Sequence, residues 1–304
     1  MTEAPLSDCA LSRAHRETQL ICPIRHMRDG LNRFLAEPID NVKPEGADFD
    51  DVEEMVKTVV NHTGAGAADP ATNVYHAKVL RLEDAEQMVT LQDNLDLGDL
   101  PKTIMPYEHA RRILIENPTN IAVIDCVCRT LRGEKGCHPR GVCILIGDPW
   151  VSWVMDRVDR LNPRRITQEE ALEILRESHQ RGDVHAAFFK DAAAGRMYHI
   201  CNCCSCCCTA LVAANYMAAP MFAGSGYLAE IDPEACTACG ACEKACNFMA
   251  ISQNGGSYAV DAAACKGCEA CLQACPVGAI RLELEDANVL APLDLKACRE
   301  QCGQ

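Results

Sequence analysis

The sequence predicts an α+β protein: a mixed α/β N-terminal region followed, in the last third, by a smaller unit of two β–α–β halves related by a pseudo-twofold. Three observations carry that prediction. An internal repeat echoes Tyr227–Ile251 in Tyr258–Ile280. Ile166–Gly182 has the marks of an amphipathic helix, and Ile121–Asp125 is a short apolar run of strand type. The chain of 304 residues is 48% hydrophobic and 24% charged, an ordinary globular composition with room for more than one core.

Taken in order, the chain divides into an acidic segment and linker at 1–74, a cysteine-rich domain at 75–226, the repeat domain at 227–285 and a tail at 286–304. The first segment holds a helix at Phe49–Val60, then the Gly-, Ala- and Asp-rich linker Asn61–Asn73 with Pro70. Residues 75–120 read as a strand followed by short helices, the clearest being Tyr107–Glu116, opened by Pro106 and closed by Pro118. Ile121–Asp125 is a buried strand leading into Cys126. The helix Ile166–Gly182 has Thr167 as N-cap and Glu170 three residues on, a capping box. Leu172, Ile174 and Leu175 supply its apolar stripe and Gly182 its end. Ile200–Ala229 carries no charge, but six cysteines, Asn202, Pro220 and the Gly224–Tyr227 turn make it a buried helix plus a turn, not a membrane span. Each copy of the repeat reads as strand, cysteine loop, short helix and second strand.

Net charge is −14, which disfavours nucleic acid, because phosphate contacts need a basic surface. It suits a protein partner with a basic docking patch. The N-terminus, MTEAPLSDCALSRAHRETQL, shows no apolar secretory core. There are 22 cysteines, packed in tight runs that suit metal better than a disulfide framework. Reduced thiols, no signal and no span point to the cytoplasm. No Gly-rich phosphate loop is present, HTGAGAAD being linker-like, and no Ser–His–Asp arrangement can be argued from order alone.

The repeat carries the chemistry. Its first copy gives Cys236-x2-Cys239-x2-Cys242-x3-Cys246 and its second Cys265-x2-Cys268-x2-Cys271-x3-Cys275-Pro276. A C-x2-C-x2-C loop wraps one face of an iron–sulfur cubane with three thiolates. The fourth cysteine, on the helix behind, points away to the neighbouring cluster. One [4Fe–4S] cluster is therefore assigned to Cys236, Cys239, Cys242 and Cys275, the other to Cys265, Cys268, Cys271 and Cys246. Zinc pairs are usually separated by longer spacers. The segment resembles the bacterial-type two-cluster ferredoxins over about 55 residues, departing at Asn247, where that family often has proline. Small residues (Ala238, Gly240, Ala241, Gly267, Ala270) let backbone N–H groups approach cluster sulfurs. From Glu230 to Asp286 nine acidic residues face three basic ones, a local balance of −6 that favours low potentials.

Fourteen cysteines remain. Cys126, Cys128, Cys137 and Cys143 share one loop with Gly133, Gly136, Gly141, Arg129, Arg132, Lys135 and Arg140. Positive charge there stabilises thiolates, so the loop reads as a third iron–sulfur site, with structural zinc and His138 as the other option. Cys201, Cys203, Cys204, Cys206, Cys207 and Cys208 crowd into CNCCSCCC. Vicinal cysteines cannot all face one metal, so some face elsewhere. They either share a site with the 126–143 loop or form two. Cys298 and Cys302 form an i, i+4 pair in what reads as a frayed tail, and Cys9 and Cys22 are scattered. His185, just past the helix end, reads as a surface or capping histidine.

The Cys126–Arg129 motif, the 166–182 helix followed by Val184–His185, and Cys201–Cys208 resemble a family of cysteine-rich proteins of anaerobic metabolism that carry a C-terminal dicluster module. That resemblance implies redox work. The leading expectation is an electron-transfer protein or redox-complex subunit feeding a flavin- or metal-containing partner. An oxidoreductase with a substrate-binding cluster at CNCCSCCC, helped by His185 or His199, is the alternative. A cluster carrier is a third.

Overall fold

Apolar side chains alternate along Val184–Lys190 and its neighbours, and the result is one sheet buried on both faces. The computed structural model describes residues 75–107, 111–190, 196–217, 221–286, 290–295 and 298. The helix expected at 49–60, the linker at 61–73, and Cys9, Cys22 and Cys302 lie outside the described residues.

The sheet comprises β1 (Tyr75–Val79), β2 (Leu95–Asp99), β3 (Arg112–Asp125), β4 (Gly141–Asp148), β5 (Arg164–Ile166), β6 (Val184–Lys190), β7 (Arg196–Cys203) and β8 (Phe222–Ala223). Their order is β2-β3-β4-β7-β6-β1-β8, with β5 on β3. Pairing is antiparallel except for β1 with β8 and a single parallel contact between β3 and β7. One face, with Ile121, Val123, Ile144, Ile146, Ala187 and Phe189, packs against α1 (Leu82–Val89) and α4 (Gln168–Gln180). The opposite face, with Ala77, Val79, Cys143, Ala186, Phe188, Cys201 and Cys203, packs against the start of α5 (Thr209–Met217) and the C-terminal unit. Ala122 and Leu145 on that side meet α3 (Trp150–Arg157). The short α2 (Val127–Leu131) follows Cys126.

Helix α4 starts as its sequence prescribes: the Thr167 hydroxyl accepts the Glu170 N–H at 3.2 Å. The Glu170 carboxylate turns to Arg164, 2.6 Å away. Gly182 closes the helix at φ +78°, its N–H donating to His179 O and that of Asp183 to Ser178 O, a Schellman arrangement.

Two expectations need correction. The segment read as helix at Tyr107–Glu116 is strand from Arg112 onward. Ile113 and Ile115 are buried while Leu114 between them is only half so, a period of two that the flanking prolines obscured. Pro118 lies where the β3–β4 register shifts. The stretch read as a buried helix plus turn begins as strand: Ile200–Cys203 ends β7, and the helix, α5, comes after a turn.

The C-terminal unit holds β9 (Tyr227–Ile231), α6 (Ala241–Ala245), β10 (Ile251–Asn254), β11 (Ser257–Val260), α7 (Ala270–Ala274) and β12 (Ile280–Leu284), with β9 pairing β12 and β10 pairing β11. Each copy of the repeat thus forms strand, cysteine loop, five-residue helix and strand. The tail is not frayed where described. Leu293, Leu295 and Cys298 enter the core beside α1 and α4, and the buried Lys78 ammonium donates to Ala291 O at 2.8 Å. Among the described residues no helix is long and apolar enough to cross a membrane.

Candidate metal centres

In the C-terminal unit, tight turns aim the cysteines inward. Ala238 and Gly240 in the first loop, and Gly267 and Glu269 at the matching positions of the second, all have positive φ. One pocket is lined by Cys236, Cys239, Cys242 and Cys275, with Ile231, Tyr258 and Ile280 beside them. Another is lined by Cys246, Cys265, Cys268 and Cys271, with Phe248 and Ile251. In each, three thiols come from one loop and the fourth from behind the other. Backbone N–H groups of Ala238, Ala250 and Ala279 donate to the sulfurs of Cys236, Cys246 and Cys275 at 3.4, 3.2 and 3.2 Å. Such donors stabilise a negatively charged sulfur and fit a thiolate-bound cluster. Burial pushes the Cys271 thiol up to about 12 and raises Cys268 further. These thiols ionise only against a compensating positive charge, which the irons of a bound cluster would provide.

The ten upstream cysteines fall into two groups. The first, a ring, comprises Cys126, Cys128, Cys208, Cys203, Cys201 and Cys143, each of which interacts electrostatically with the next in that order, the last returning to Cys126; the Cys143 and Cys201 sulfurs are 3.8 Å apart. Strand alternation explains half of it, since Cys201 and Cys203 share the second face of β7 and Cys143 adjoins them on β4. Cys128 takes a hydrogen bond from the Thr209 N–H at the start of α5, 3.5 Å away. A third pocket is lined by Cys126, Cys128, Cys201, Cys203 and Cys208 together with Cys204 and Cys207 of the second group, with Phe188 and Arg129 in its wall. His199 sits with Nε2 2.8 Å from the Cys201 sulfur, and burial lowers its pKa to about 4, so its imidazole is neutral.

The second group is Cys137, Cys204, Cys206 and Cys207, whose sulfurs lie within 4.8 Å of one another. The Cys204–Cys207 turn, closed by the Cys208 N–H donating to Cys204 O, brings these three thiols together beside Cys137. The 126–143 loop therefore does not gather its own four thiols: Cys137 joins the 204–207 turn and the other three join the ring. His138 is not among the clustered ligands.

Behind the ring lies a polar network that sequence reasoning only partly anticipated. Arg129 is 1% exposed and pairs with Asp183 at 2.9 Å, also donating to Pro139 O and Asn202 O. Although burial opposes it, the Asp183 carboxylate and the Cys204 and Cys126 sulfurs raise the Arg129 pKa. Asn202 donates to Val142 O, so its Oδ1 accepts the His185 Nδ1–H at 2.6 Å. His185 is fully buried and stacked on His179, not a surface or capping histidine as expected from its place after a helix. Its alternation within β6, opposite Asn202, was the available signal. Asn247 was likewise undervalued. Its Oδ1 accepts the Ser205 N–H, its Nδ2 donates to Gly182 O, and its own carbonyl accepts from Asn215.

Residues 229–282 match a family of known sequences described as a 4Fe-4S dicluster domain. No curated protein and no solved structure matches the chain. That match, over the segment whose cysteines line the two C-terminal cavities, identifies an iron–sulfur protein with a 4Fe–4S dicluster domain near its C-terminus.

Proposed function

We propose that the chain is an electron-transfer protein or redox-complex subunit with three cluster sites: Cys236, Cys239, Cys242 and Cys275; Cys265, Cys268, Cys271 and Cys246; and the six-thiol ring. A cluster so held gains and loses one electron at a time, at a potential tuned by hydrogen bonds to sulfur and by burial. The observation that carries the reading is the exchange of fourth cysteines between the two repeat loops, each quartet around its own cavity.

The protein supplies the surroundings. Phe248, in the wall of the second cavity, packs on Phe222 at 5.5 Å, and Phe222 on Phe188 at 5.9 Å, in the wall of the third. This aromatic run, inside one hydrophobic cluster, excludes water between the two sites. The first cavity lies nearest solvent, with Cys239 exposed and Val277 at its rim 48% exposed. A redox partner bearing a basic patch would dock there, against the acidic C-terminal unit. The alternative, an oxidoreductase with its substrate at the ring, gains support from His199 beside Cys201, but five of the six ring thiols are buried from any substrate.

Anaerobic iron and sulfide quantitation tests the proposal, with EPR of the reduced protein. Two cubanes alone hold about eight irons, and a filled ring brings about ten with a two-iron cluster or about twelve with a four-iron one. Cys128→Ser with Cys208→Ser should return the count to about eight. A wild-type value of about eight after full reconstitution overturns the ring cluster, and zinc without inorganic sulfide in the C-terminal unit overturns the whole reading.

A further inference from the structure

We propose that Cys137, Cys204, Cys206 and Cys207 bind a single tetrahedral divalent ion, zinc by its thiolate chemistry, and not a cluster. The inference rests on the proposed function only in taking the other thiol groups as cluster sites.

Sulfur spacing carries it. A tetrahedron of thiolates about 2.3 Å from one ion has edges of roughly 3.8 Å. The four sulfurs here lie within 4.8 Å of one another, with Cys137 and Cys206 at 3.0 Å. Among the described residues, no other three ligand atoms of His, Cys, Asp or Glu are mutually that close. The cysteines of both C-terminal quartets therefore stand farther apart, as four irons and four sulfides between them require. The ring is wider too: no three of its sulfurs are grouped within 4.8 Å of one another, and five of the six line an opening. The same chain thus holds two spacings, one suited to cubanes and one to a single ion.

Other features agree with a closed structural site. Four sulfur donors leave no open position for substrate, and all-thiolate tetrahedral coordination selects zinc, or iron without sulfide. The Cys137 N–H donates to the Cys207 sulfur at 3.4 Å, the outer hydrogen bond a metal thiolate receives. A divalent ion with four thiolates has a net charge of −2, and Arg129, which lines the same pocket as Cys204 and Cys207, would partly offset it. The ion would pin the 132–140 loop to the 204–207 turn. The neighbouring Cys203 and Cys208 would then keep their register in the ring, so each vicinal pair, 203/204 and 207/208, divides between two metals.

The test uses the full chain purified anaerobically. Zinc, iron and acid-labile sulfide are measured together, and metal K-edge absorption reads the shell of the non-cluster metal. The expected result is one equivalent of zinc, or of iron beyond the sulfide count, in a shell of four sulfurs. Cys206→Ser, at the exposed corner of the site, should lose that equivalent with cluster iron and sulfide unchanged. Loss of four irons and four sulfides in that variant, or no non-cluster metal in the wild type, overturns the proposal. The wild-type absorption measurement decides the matter even if the variant fails to fold. An empty ring would instead appear as a low iron and sulfide count with the zinc intact.

Discussion

Asn247 shows how one side chain serves two parts of the molecule. At a position where two-cluster ferredoxins often have proline, which could offer no amide side chain, it ties the second half of the cysteine repeat to the 204–208 turn, the end of α4 and α5. Asn247→Ala removes the partners of the Ser205 N–H, which solvent can reach, and of the half-buried Gly182 C=O. It should destabilise the protein by about 1 kcal/mol, the net worth of an ordinary hydrogen bond, read from the denaturant midpoint. Arg129 is held at the same scale, its guanidinium closing on Asp183 with both side chains out of water. Breaking a buried pair by removing one partner costs roughly 3–5 kcal/mol. Arg129→Met should show a loss of that order in equilibrium unfolding, and Arg129→Met/Asp183→Asn should recover part of it; equal stability of the single variant and wild type would contradict the pairing.

At the scale of elements, the two cluster loops have the same backbone shape but different residues in it. Ala238 and Gly267 occupy matching positions, with φ of +53° and +59°. A Cβ at Gly267 would strike the Tyr227 carbonyl and the Ser225 hydroxyl, so this loop lies directly on the strand that opens the unit. Gly267→Ala should therefore destabilise by at least roughly 1–3 kcal/mol through backbone strain alone and shorten cluster retention under chelator. Ala238→Gly should go the other way, by about 1 kcal/mol, because an L-residue in the left-handed region gives up that much. Opposite signs at equivalent positions, measured as cluster half-life and unfolding midpoint, are the expected pattern.

Across the whole molecule, the sheet is a partition. Helices α1 and α4 and the tail close one face, while the thiols and the C-terminal unit close the other. Removing the chain after Asp286 takes Leu293 and Leu295 out of the first core, at roughly 1.5–3 kcal/mol for each buried side chain. The truncated protein should melt markedly lower and become protease-sensitive, with the dicluster EPR signals the last to go. Lys78 makes this seam respond to pH. Burial lowers its pKa to about 7 from an ordinary 10.5, only partly offset by Asp84 and Glu285. Between those values the unfolded chain binds the proton and the fold does not, so stability rises with pH from about 7 toward 10.5 and the cost is fully present below 7. Lys78→Met should flatten that difference when unfolding midpoints are compared across the window; parallel profiles for the two proteins would refute it.

Some of this was legible in the chain alone. The eight-cysteine repeat, the α4 cap at Thr167 and the Gly182 stop are set by residues a few positions apart, and local spacing is enough to read them. The short strand at Ile121–Asp125 was visible as an apolar run. Its extension back to Arg112 was not, because prolines outweighed a period of two that only pairing with β2 makes decisive. The ten upstream cysteines show the limit most clearly. Nothing in CVCRTLRGEKGC or CNCCSCCC states that Cys137 parts from Cys126, Cys128 and Cys143, or that Cys203 parts from Cys204. That division arises where β4 and β7 lie side by side and a turn reverses the chain at Cys204, so which sulfurs share a centre depends on contacts between segments some seventy residues apart. Local spacing makes the chain legible as a metal binder; only the packing of distant strands decides which thiols stand together.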